Sequence, residues 1–142
     1  MIRVFQRNDL DAIMEIWLDT NIQAHRFIAR GYWTDHFALV KEMLPEAEVY
    51  VYEEDDTGRI DGFVGLTGGY IAGIFVKKDF QAKGIGKQLL DYVKDTREEI
   101  SLSVYQKNIR AIRFYQREAF VIQSEGVDES TGEKELVMVW RR

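Results

Sequence analysis

An apolar stretch that leads into a glycine-rich segment constrains the fold of this 142-residue chain more than any other feature. Residues 71–76 read Ile-Ala-Gly-Ile-Phe-Val, and residues 81–86 read Gln-Ala-Lys-Gly-Ile-Gly at the start of a helical pattern. Backbone N–H groups at a helix N-terminus lack intrahelical partners and lie at the positive end of the helix dipole. Glycine lets an anion approach these groups without a Cβ in the way. This order of strand, loop and helix predicts a phosphate-binding site.

Two common phosphate-binding motifs fit this segment poorly. In the dinucleotide fingerprint G-x-G-x-x-G, Gly84 and Gly86 supply the first two positions, but Leu89 occupies the third. In the nucleotide loop G-x-x-x-x-G-K-[ST], Gln81 stands at the first glycine and Gln88 at the metal-binding hydroxyl. The sequence therefore disfavours both a nicotinamide dinucleotide and hydrolysis of ATP or GTP.

A third motif fits better and has a companion further along the chain. The pattern Gln-x-x-Gly-x-Gly after a strand resembles the pyrophosphate-binding motif of the GNAT superfamily of acetyl-CoA-dependent N-acetyltransferases. Residues 108–115, Asn-Ile-Arg-Ala-Ile-Arg-Phe-Tyr, are similar to the family's Asn-x-x-Ala-x-x-Phe-Tyr helix. Two motifs in the family's order are much harder to obtain by chance than one. The resemblance implies acetyl transfer with acetyl-CoA as the donor.

Length and composition agree with a small globular enzyme. A chain of 142 residues is long enough to bury a core, and we expect a single N-acetyltransferase domain over residues 1–142. No apolar run approaches the roughly 20 residues that cross a bilayer, so no membrane association is expected. Residues 1–7 lack the apolar core and cleavage site of a signal peptide, which favours the cytoplasm.

The absence of cysteine and the net charge narrow the chemistry. Without cysteine there is no disulfide, no thiolate metal site and no acetyl-cysteine intermediate, so we expect direct attack by the acceptor and no metal. The formal net charge of -5 argues against nucleic acid as a partner. The same charge favours a cationic acceptor such as an amine.

Periodicity predicts the element order β-α-α-β-β-β-α-β-α-β-β. The predicted strands cover residues 1–5, 48–54, 60–67, 70–76, 100–105, 120–127 and 136–140. The predicted helices begin near Asn8 or Asp9, near Thr34 or Asp35 with Pro45 helping to stop the helix, after the glycine-rich loop, and near Asn108. This order agrees with the one that the GNAT resemblance implies, an α/β fold with a mixed, twisted central sheet of about seven strands flanked by four helices. The strand, helix and strand around the loop predict a right-handed parallel crossover.

The third predicted helix has one clear apolar face. Its predicted buried residues are Ile85, Leu89, Tyr92, Val93 and Thr96.

The resemblance also implies which residues bind the cofactor. The backbone of Ile74, Phe75 and Val76 is expected to pair with the pantetheine arm like an added strand, with the thioester near Ile74 and a bulge at Gly73. Asn108 is expected to contact the cofactor and to cap its helix. The pyrophosphate is expected to lie among the backbone amides of Gln81, Ala82, Lys83, Gly84, Ile85, Gly86 and Lys87, with the two lysine side chains adding positive charge.

Tyr115 is the expected catalytic residue, because the tyrosine at this position in the family faces the cofactor sulfur as a general acid. Its ordinary pKa of roughly 10 exceeds that of a thiol, roughly 8.5, so full proton transfer is uphill by about 2 kcal/mol. A strong hydrogen bond to the developing thiolate is then the larger part of its role. Ala119 stands where the family usually has glycine, and it would be strained if that position needs a positive φ.

The acceptor site is expected to include His25, Phe27 and Tyr70. An amine with a pKa near roughly 10.4 must lose a proton before it attacks, which costs about 4.6 kcal/mol at pH 7, so a base or an ordered water chain is expected. His25 and Tyr70 are the candidates. The preferred acceptor is a lysine or N-terminal amine of a peptide or protein. A small-molecule amine and a non-catalytic acyl-CoA-binding module are the alternatives. The sequence leaves open the base, the acyl-chain length and whether the chain is a monomer or a homodimer.

Overall fold

The computed structural model describes residues 1–142 and contains one seven-stranded sheet with four α-helices. The strands are β1 (Ile2–Val4), β2 (Glu48–Glu53), β3 (Ile60–Thr67), β4 (Tyr70–Val76), β5 (Glu99–Tyr105), β6 (Val121–Val127) and β7 (Lys134–Arg141). The helices are α1 (Leu10–Ala24), α2 (Arg30–Met43), α3 (Ile85–Lys94) and α4 (Ile109–Arg117). Short 3₁₀ turns cover Arg7–Asp9, Leu44–Glu46 and Lys78–Phe80. The predicted element order and fold class are confirmed.

The start of α2 differs from the prediction. The helix begins at Arg30, directly after Ala29, rather than near Thr34 or Asp35. Ala29 has an extended backbone and offers no side chain to cap the helix, so the sequence lacks the polar residue that marks most helix starts. The end is as expected, because Pro45 lies in the 3₁₀ turn that follows Met43.

The sheet has the strand order β1-β2-β3-β4-β5-β7-β6. All neighbours are antiparallel except β4 and β5, which are parallel and pair only at Tyr70 with Ser101 and Ile71 with Leu102. Beyond Ile71 the two strands continue without pairing, to Val76 in β4 and to Tyr105 in β5. A gap therefore opens in the middle of the sheet, and one edge of β4 faces it.

A β-bulge lies in β4 where this gap begins. Gly65 pairs with Gly73 and the next residue, Leu66, pairs with Ile71, so Ala72 is the extra residue. The bulge is next to Gly73, as the sequence indicated. A Cβ on Gly73 would lie 2.2 Å from Cζ of Phe75, so the Phe75 ring requires glycine there. The bulge turns the following residues of β4 toward the gap.

Two apolar clusters cover the two faces of the sheet. The α3 and α4 face is built around Leu89, Leu102 and Met138, and the α1 and α2 face around Ile13 and Phe63. No helix of the chain combines the length and the apolar composition needed to span a membrane.

The buried face of α3 is shifted from the predicted one. It consists of Ile85, Leu89, Leu90 and Val93. Tyr92 is 38% exposed at the edge of this face, where its ring packs against another tyrosine, and Thr96 follows the end of the helix. The prediction was wrong for these two residues, because the sheet contacts the side of the helix that carries Leu90.

Candidate active site

The gap between β4 and β5 exposes a length of strand backbone. Ile74, Phe75 and Val76 pair with β3 on one side, through Val64, Phe63 and Gly62. Their other side has no strand partner, because β5 has separated from β4 at this level. In an antiparallel ladder half of the backbone N–H and C=O groups point away from the paired neighbour. These groups of β4 therefore line the gap and can accept an added extended chain.

The loop before α3 presents backbone N–H groups that have no partner in the protein. The first hydrogen bond at this end of α3 runs from Gln88 N–H to Gly84 O, 3.0 Å, which leaves the amides of Ile85, Gly86 and Lys87 ahead of the helical ladder. Gly84 has a φ of 88°, the left-handed conformation that favours glycine. A Cβ on Gly86 would meet its nearest neighbour, Cζ of Phe114, at an ordinary 3.5 Å. The protein itself does not require glycine at position 86, and the unpartnered amides fit a pyrophosphate anion.

Gln81 fixes the loop between two elements. Its Nε2 donates to the Val76 carbonyl at 2.9 Å, and its Oε1 accepts from Arg110 Nη1 at 3.0 Å. The resemblance implied that Gln81 is part of the pyrophosphate site, but it gave no role to Arg110. Because the Gln81 contact holds Arg110, this exposed guanidinium lies beside the loop and adds a cation to the anion site.

The two lysines of the loop differ in their surroundings. Lys87 Nζ lies 2.9 Å from a carboxylate oxygen of Glu118 and 3.3 Å from one of Asp91. The hydrogen bond to Glu118, and then that to Asp91, raise the pKa of Lys87. Lys83 is exposed and its Nζ lies 5.6 Å from the centre of the Phe80 ring. Lys83 is therefore better placed than Lys87 to contribute net positive charge.

Tyr115 is buried on the α3 and α4 face, with 8% of its surface exposed. Its ring packs against Phe114 and Phe120, with centroids 5.2 and 5.5 Å away. Burial, and next the Tyr70 hydroxyl, raise the pKa of Tyr115. The phenol is therefore fully protonated at neutral pH and can act only as a hydrogen-bond or proton donor toward an anion.

Asn108 joins the start of α4 to the end of α1. Its Oδ1 accepts a hydrogen bond from Ala111 N–H at 3.2 Å, which confirms the predicted helix cap. Its Nδ2 lies 3.2 Å from His25 Nε2. An amide nitrogen is always a donor, so His25 Nε2 accepts this bond and the neutral ring carries its proton on Nδ1. The contact of Asn108 with the cofactor stays a prediction.

His25 lies in an aromatic cluster rather than in open solvent. Its ring is stacked on Trp33 at 5.3 Å and meets the edges of Phe27 at 5.7 Å and Tyr105 at 5.1 Å. Its Nδ1 is buried without a hydrogen-bond partner. Burial lowers the pKa of His25 to about 4, with the Asn21 carbonyl opposing the effect. The ring is therefore neutral at pH 7, and both nitrogens are enclosed or engaged.

The other two residues of the predicted acceptor site border the same region. Phe27 packs against Tyr105 at 5.7 Å, and Tyr70 is 42% exposed at the start of β4. Tyr70 is also close enough to Tyr115 to act on its pKa, which links the acceptor side to the predicted catalytic residue.

Sequence reasoning missed Tyr105 and the contacts around it. The Tyr105 hydroxyl donates to Asp128 at 2.6 Å, and the Tyr32 hydroxyl lies 2.9 Å from Ser130 Oγ. These bonds hold α2 and β5 to the turn between β6 and β7. They join residues far apart in the chain, so no local sequence pattern predicts them.

Comparison with known proteins decides the family. Residues 45–122 match the family model described as an acetyltransferase (GNAT) domain. The chain is 39% identical over 142 residues to the peptidyl-lysine N-acetyltransferase YiaC of Escherichia coli K12, covering 99% of this chain and 96% of that protein. The chain belongs to the GNAT superfamily. This GNAT enzyme is an N-acetyltransferase that moves an acetyl group from acetyl-CoA to an amine.

A shorter match and two solved structures extend the comparison. The spermine/spermidine N(1)-acetyltransferase of Bacillus subtilis is 33% identical over 93 residues, covering 61% of this chain and 54% of that protein. Apo YjaB from Escherichia coli superposes with a TM-score of 0.88 at 24% identity, covering 99% and 96% of the two chains. The PaiA N-acetyltransferase of Thermoplasma acidophilum, solved with coenzyme A, gives 0.83 at 19% identity, covering 100% and 98%. This GNAT fold and its donor, acetyl-CoA, are thus those of the family.

Proposed function

We propose that this GNAT enzyme acetylates the side-chain amine of lysine in peptides or proteins, in the cytoplasm. The observation that carries the proposal is the match to a peptidyl-lysine N-acetyltransferase over nearly the full length of both chains. The match to the polyamine enzyme covers only 61% of this chain. In the family, the first two helices and the last hairpin supply the acceptor pocket, so likeness over the whole chain is the more informative comparison.

The site residues act first by holding the donor. Acetyl-CoA, when bound, supplies a thioester whose carbonyl carbon accepts the amine. The unpaired backbone of Ile74, Phe75 and Val76 holds the pantetheine arm in the gap beside β4. The amides of residues 82–87 hold the pyrophosphate, and Lys83 and Arg110 add positive charge. The Gln81 N–H, expected to join them, already donates to the Lys78 carbonyl at 3.3 Å. Asn108 caps α4, three residues after the end of β5.

Tyr115 then stabilises the departing sulfur. Because burial raises the pKa of Tyr115, full transfer of its proton to a thiolate is less favourable than between the same groups in water. The same burial strengthens a hydrogen bond from its hydroxyl to the developing negative charge. Tyr115 therefore acts mainly as a hydrogen-bond donor. The attacking nitrogen must give up a second proton to become an amide, and this proton would balance the charge of the departing thiolate.

The acceptor amine approaches beside Tyr70, with His25 and Phe27 as a wall of its site. His25 Nε2 already accepts from Asn108 and its Nδ1 is enclosed, so the ring cannot take a proton without breaking a bond. The lysine ammonium must still lose a proton, at a cost of about 4.6 kcal/mol at pH 7. This proton leaves to water on the exposed side of Tyr70.

Three acceptors offered with acetyl-CoA test the proposal. The first is a peptide with one lysine and a blocked N-terminus, the second is the same peptide with the lysine blocked and the N-terminus free, and the third is spermidine. Thiol release gives the rates, and mass spectrometry gives the acetylated nitrogen. We expect the lysine side chain to be preferred. A higher kcat/KM for spermidine or for the free N-terminus would overturn the assignment of the acceptor.

A further inference from the structure

Glu135 in β7 lies on the acceptor face of the sheet. It pairs with Tyr105 of β5, and residues directly opposite each other in a ladder project to the same face. The alternation along β5 puts Tyr105 on the face of Ser101, which pairs with Tyr70. The adjacent Leu136 belongs to the core under α3 and α4, so Glu135 points away from those helices.

The residues of the predicted acceptor site border this same face. The rings of His25 and Phe27 meet the ring of Tyr105, the residue directly opposite Glu135. On its other side Glu135 pairs with Gly126 of β6, where an added Cβ would meet no atom within 4 Å. The space next to Glu135 on the Gly126 side is therefore not filled by the protein.

The Glu135 carboxylate is partly buried and yet has no hydrogen-bond or ion-pair partner in the protein. Every other carboxylate in a buried or half-buried residue has at least one. The partnered carboxylates are Asp9, Glu48, Glu53, Glu54, Asp61, Asp91, Glu118, Asp128 and Glu133. A partly buried charge without a partner is unfavourable, and a cation from outside the protein would stabilise it.

The charged groups around Glu135 do not act as partners for its carboxylate. Burial, and next the like charge of Asp128, raise the pKa of Glu135, because both disfavour the ionised carboxylate. Asp128 itself is engaged by Tyr105, and Lys107 is paired with Glu133 at 2.9 Å. The environment around Glu135 is thus an unsatisfied site for positive charge.

Glu135 is not at the reacting centre. In the strand order β4-β5-β7, strand β5 lies between Glu135 and the gap beside β4, where the thioester is expected. Neighbouring strands lie roughly 4.8 Å apart, so Glu135 is at least one further strand away from the departing sulfur. It is placed to meet a different part of the same acceptor.

We propose that Glu135 binds a second positive charge of the acceptor, an ammonium or guanidinium group near the amine that receives the acetyl group. The inference rests on the proposed function and makes it narrower, because it selects lysines with a basic neighbour. A basic peptide side chain and the second amine of a polyamine share this chemistry. Glu135 is a specificity residue and does not take part in the transfer itself.

Binding of matched peptides tests the proposal directly. Two peptides with a blocked N-terminus carry one lysine, flanked on both sides by Arg in one and by Ala in the other. Their affinities are measured by calorimetry in the presence of coenzyme A, for the wild type, Glu135→Gln and Glu125→Gln. Glu125 is the matched control, because it is an exposed acid of the same hairpin that pairs with Leu136 and so projects to the opposite face.

The wild type is expected to prefer the Arg-flanked peptide by about 10- to 100-fold, as for a hydrogen bond to a charged group. Glu135→Gln removes this preference in Kd, and rate assays with acetyl-CoA show the same loss in KM with kcat unchanged. Its melting temperature is not lowered, because no internal bond is lost. Glu125→Gln keeps the preference. An unchanged preference in Glu135→Gln, or an equal loss in Glu125→Gln, would overturn the proposal.

Spermidine separates this inference from the choice of acceptor. A wild type that acetylates neither peptide, but binds spermidine through Glu135, would support the second-cation site and refute the peptide-lysine assignment. Equal acetylation of both peptides by the wild type and by Glu135→Gln would leave that assignment standing and refute the second-cation site.

Discussion

Replacement of Gly86 by alanine separates the stability of the loop from its use as an anion site. Glycine within a helix is less favourable than alanine by about 0.5–1 kcal/mol. The new Cβ would meet Phe114 at 3.5 Å and Val76 Cγ2 at 3.9 Å, both ordinary contacts. Gly86→Ala should therefore leave the unliganded protein as stable as the wild type or more stable by up to about 1 kcal/mol. Its melting temperature in the absence of ligand measures this.

The same substitution should weaken acetyl-CoA binding, because the methyl group enters the space beside the amides at the start of α3. Loss of one hydrogen bond to a charged group is worth about 1.5–3 kcal/mol, which corresponds to roughly 10- to 100-fold in Kd. Calorimetric titration with acetyl-CoA measures the change. Gly84→Ala is the contrasting variant, since its φ of 88° should make it destabilising even without ligand. Unchanged affinity in Gly86→Ala, or a loss of stability without ligand, would refute the proposed pyrophosphate site at the start of α3.

Three further outcomes follow from the site. Arg110→Ala should weaken acetyl-CoA binding more than Lys87→Ala, because two carboxylates already offset the charge of Lys87; calorimetry at low salt compares them, and the reverse order would contradict the assignment. His25, with its pKa lowered to about 4, should stay neutral on the Nδ1–H tautomer at pH 6 in nitrogen-15 NMR spectra. Since unfolded histidine titrates near roughly 6.5, the stability from His25 is full above that pH and falls by about 3 kcal/mol as the pH drops to 4. Denaturant unfolding at pH 7 and pH 4.5 should show a smaller loss in His25→Phe than in the wild type or His36→Phe, and equal losses would contradict the buried neutral ring.

Local sequence patterns predicted most of the framework. The limits of β3 and β4 are as predicted, because apolar runs bounded by turn residues leave little choice of register. The start of α2 was missed because Ala29 gives no capping side chain. Ala119 has a positive φ of 71°. The sequence could not predict this conformation, because alanine, unlike glycine, does not favour a positive φ.

Contacts between distant residues were the part that the sequence could not predict. The resemblance implied the residues of the cofactor cradle, but the pairing of β4 with β5 at only two positions is a tertiary feature without a local pattern. The bond between His25 and Asn108 spans 83 residues. In the sequence, Glu135 cannot be distinguished from other surface acids. Only the register of β7 shows that it lies on the same face of the sheet as Tyr105. The assignment of one N-acetyltransferase domain to residues 1–142 stays a prediction.

The role of Tyr115 in the transfer can be measured through turnover and acetyl-CoA affinity of Tyr115→Phe on the same sample. The variant removes one hydroxyl and keeps the ring that packs against Phe114 and Phe120. We expect kcat with a lysine peptide to fall by about 100-fold or more, in the range of general acid catalysis, while the Kd of acetyl-CoA stays within about twofold. An unchanged kcat with intact acetyl-CoA binding would contradict the claim that transfer takes place beside Tyr115 in the gap between β4 and β5.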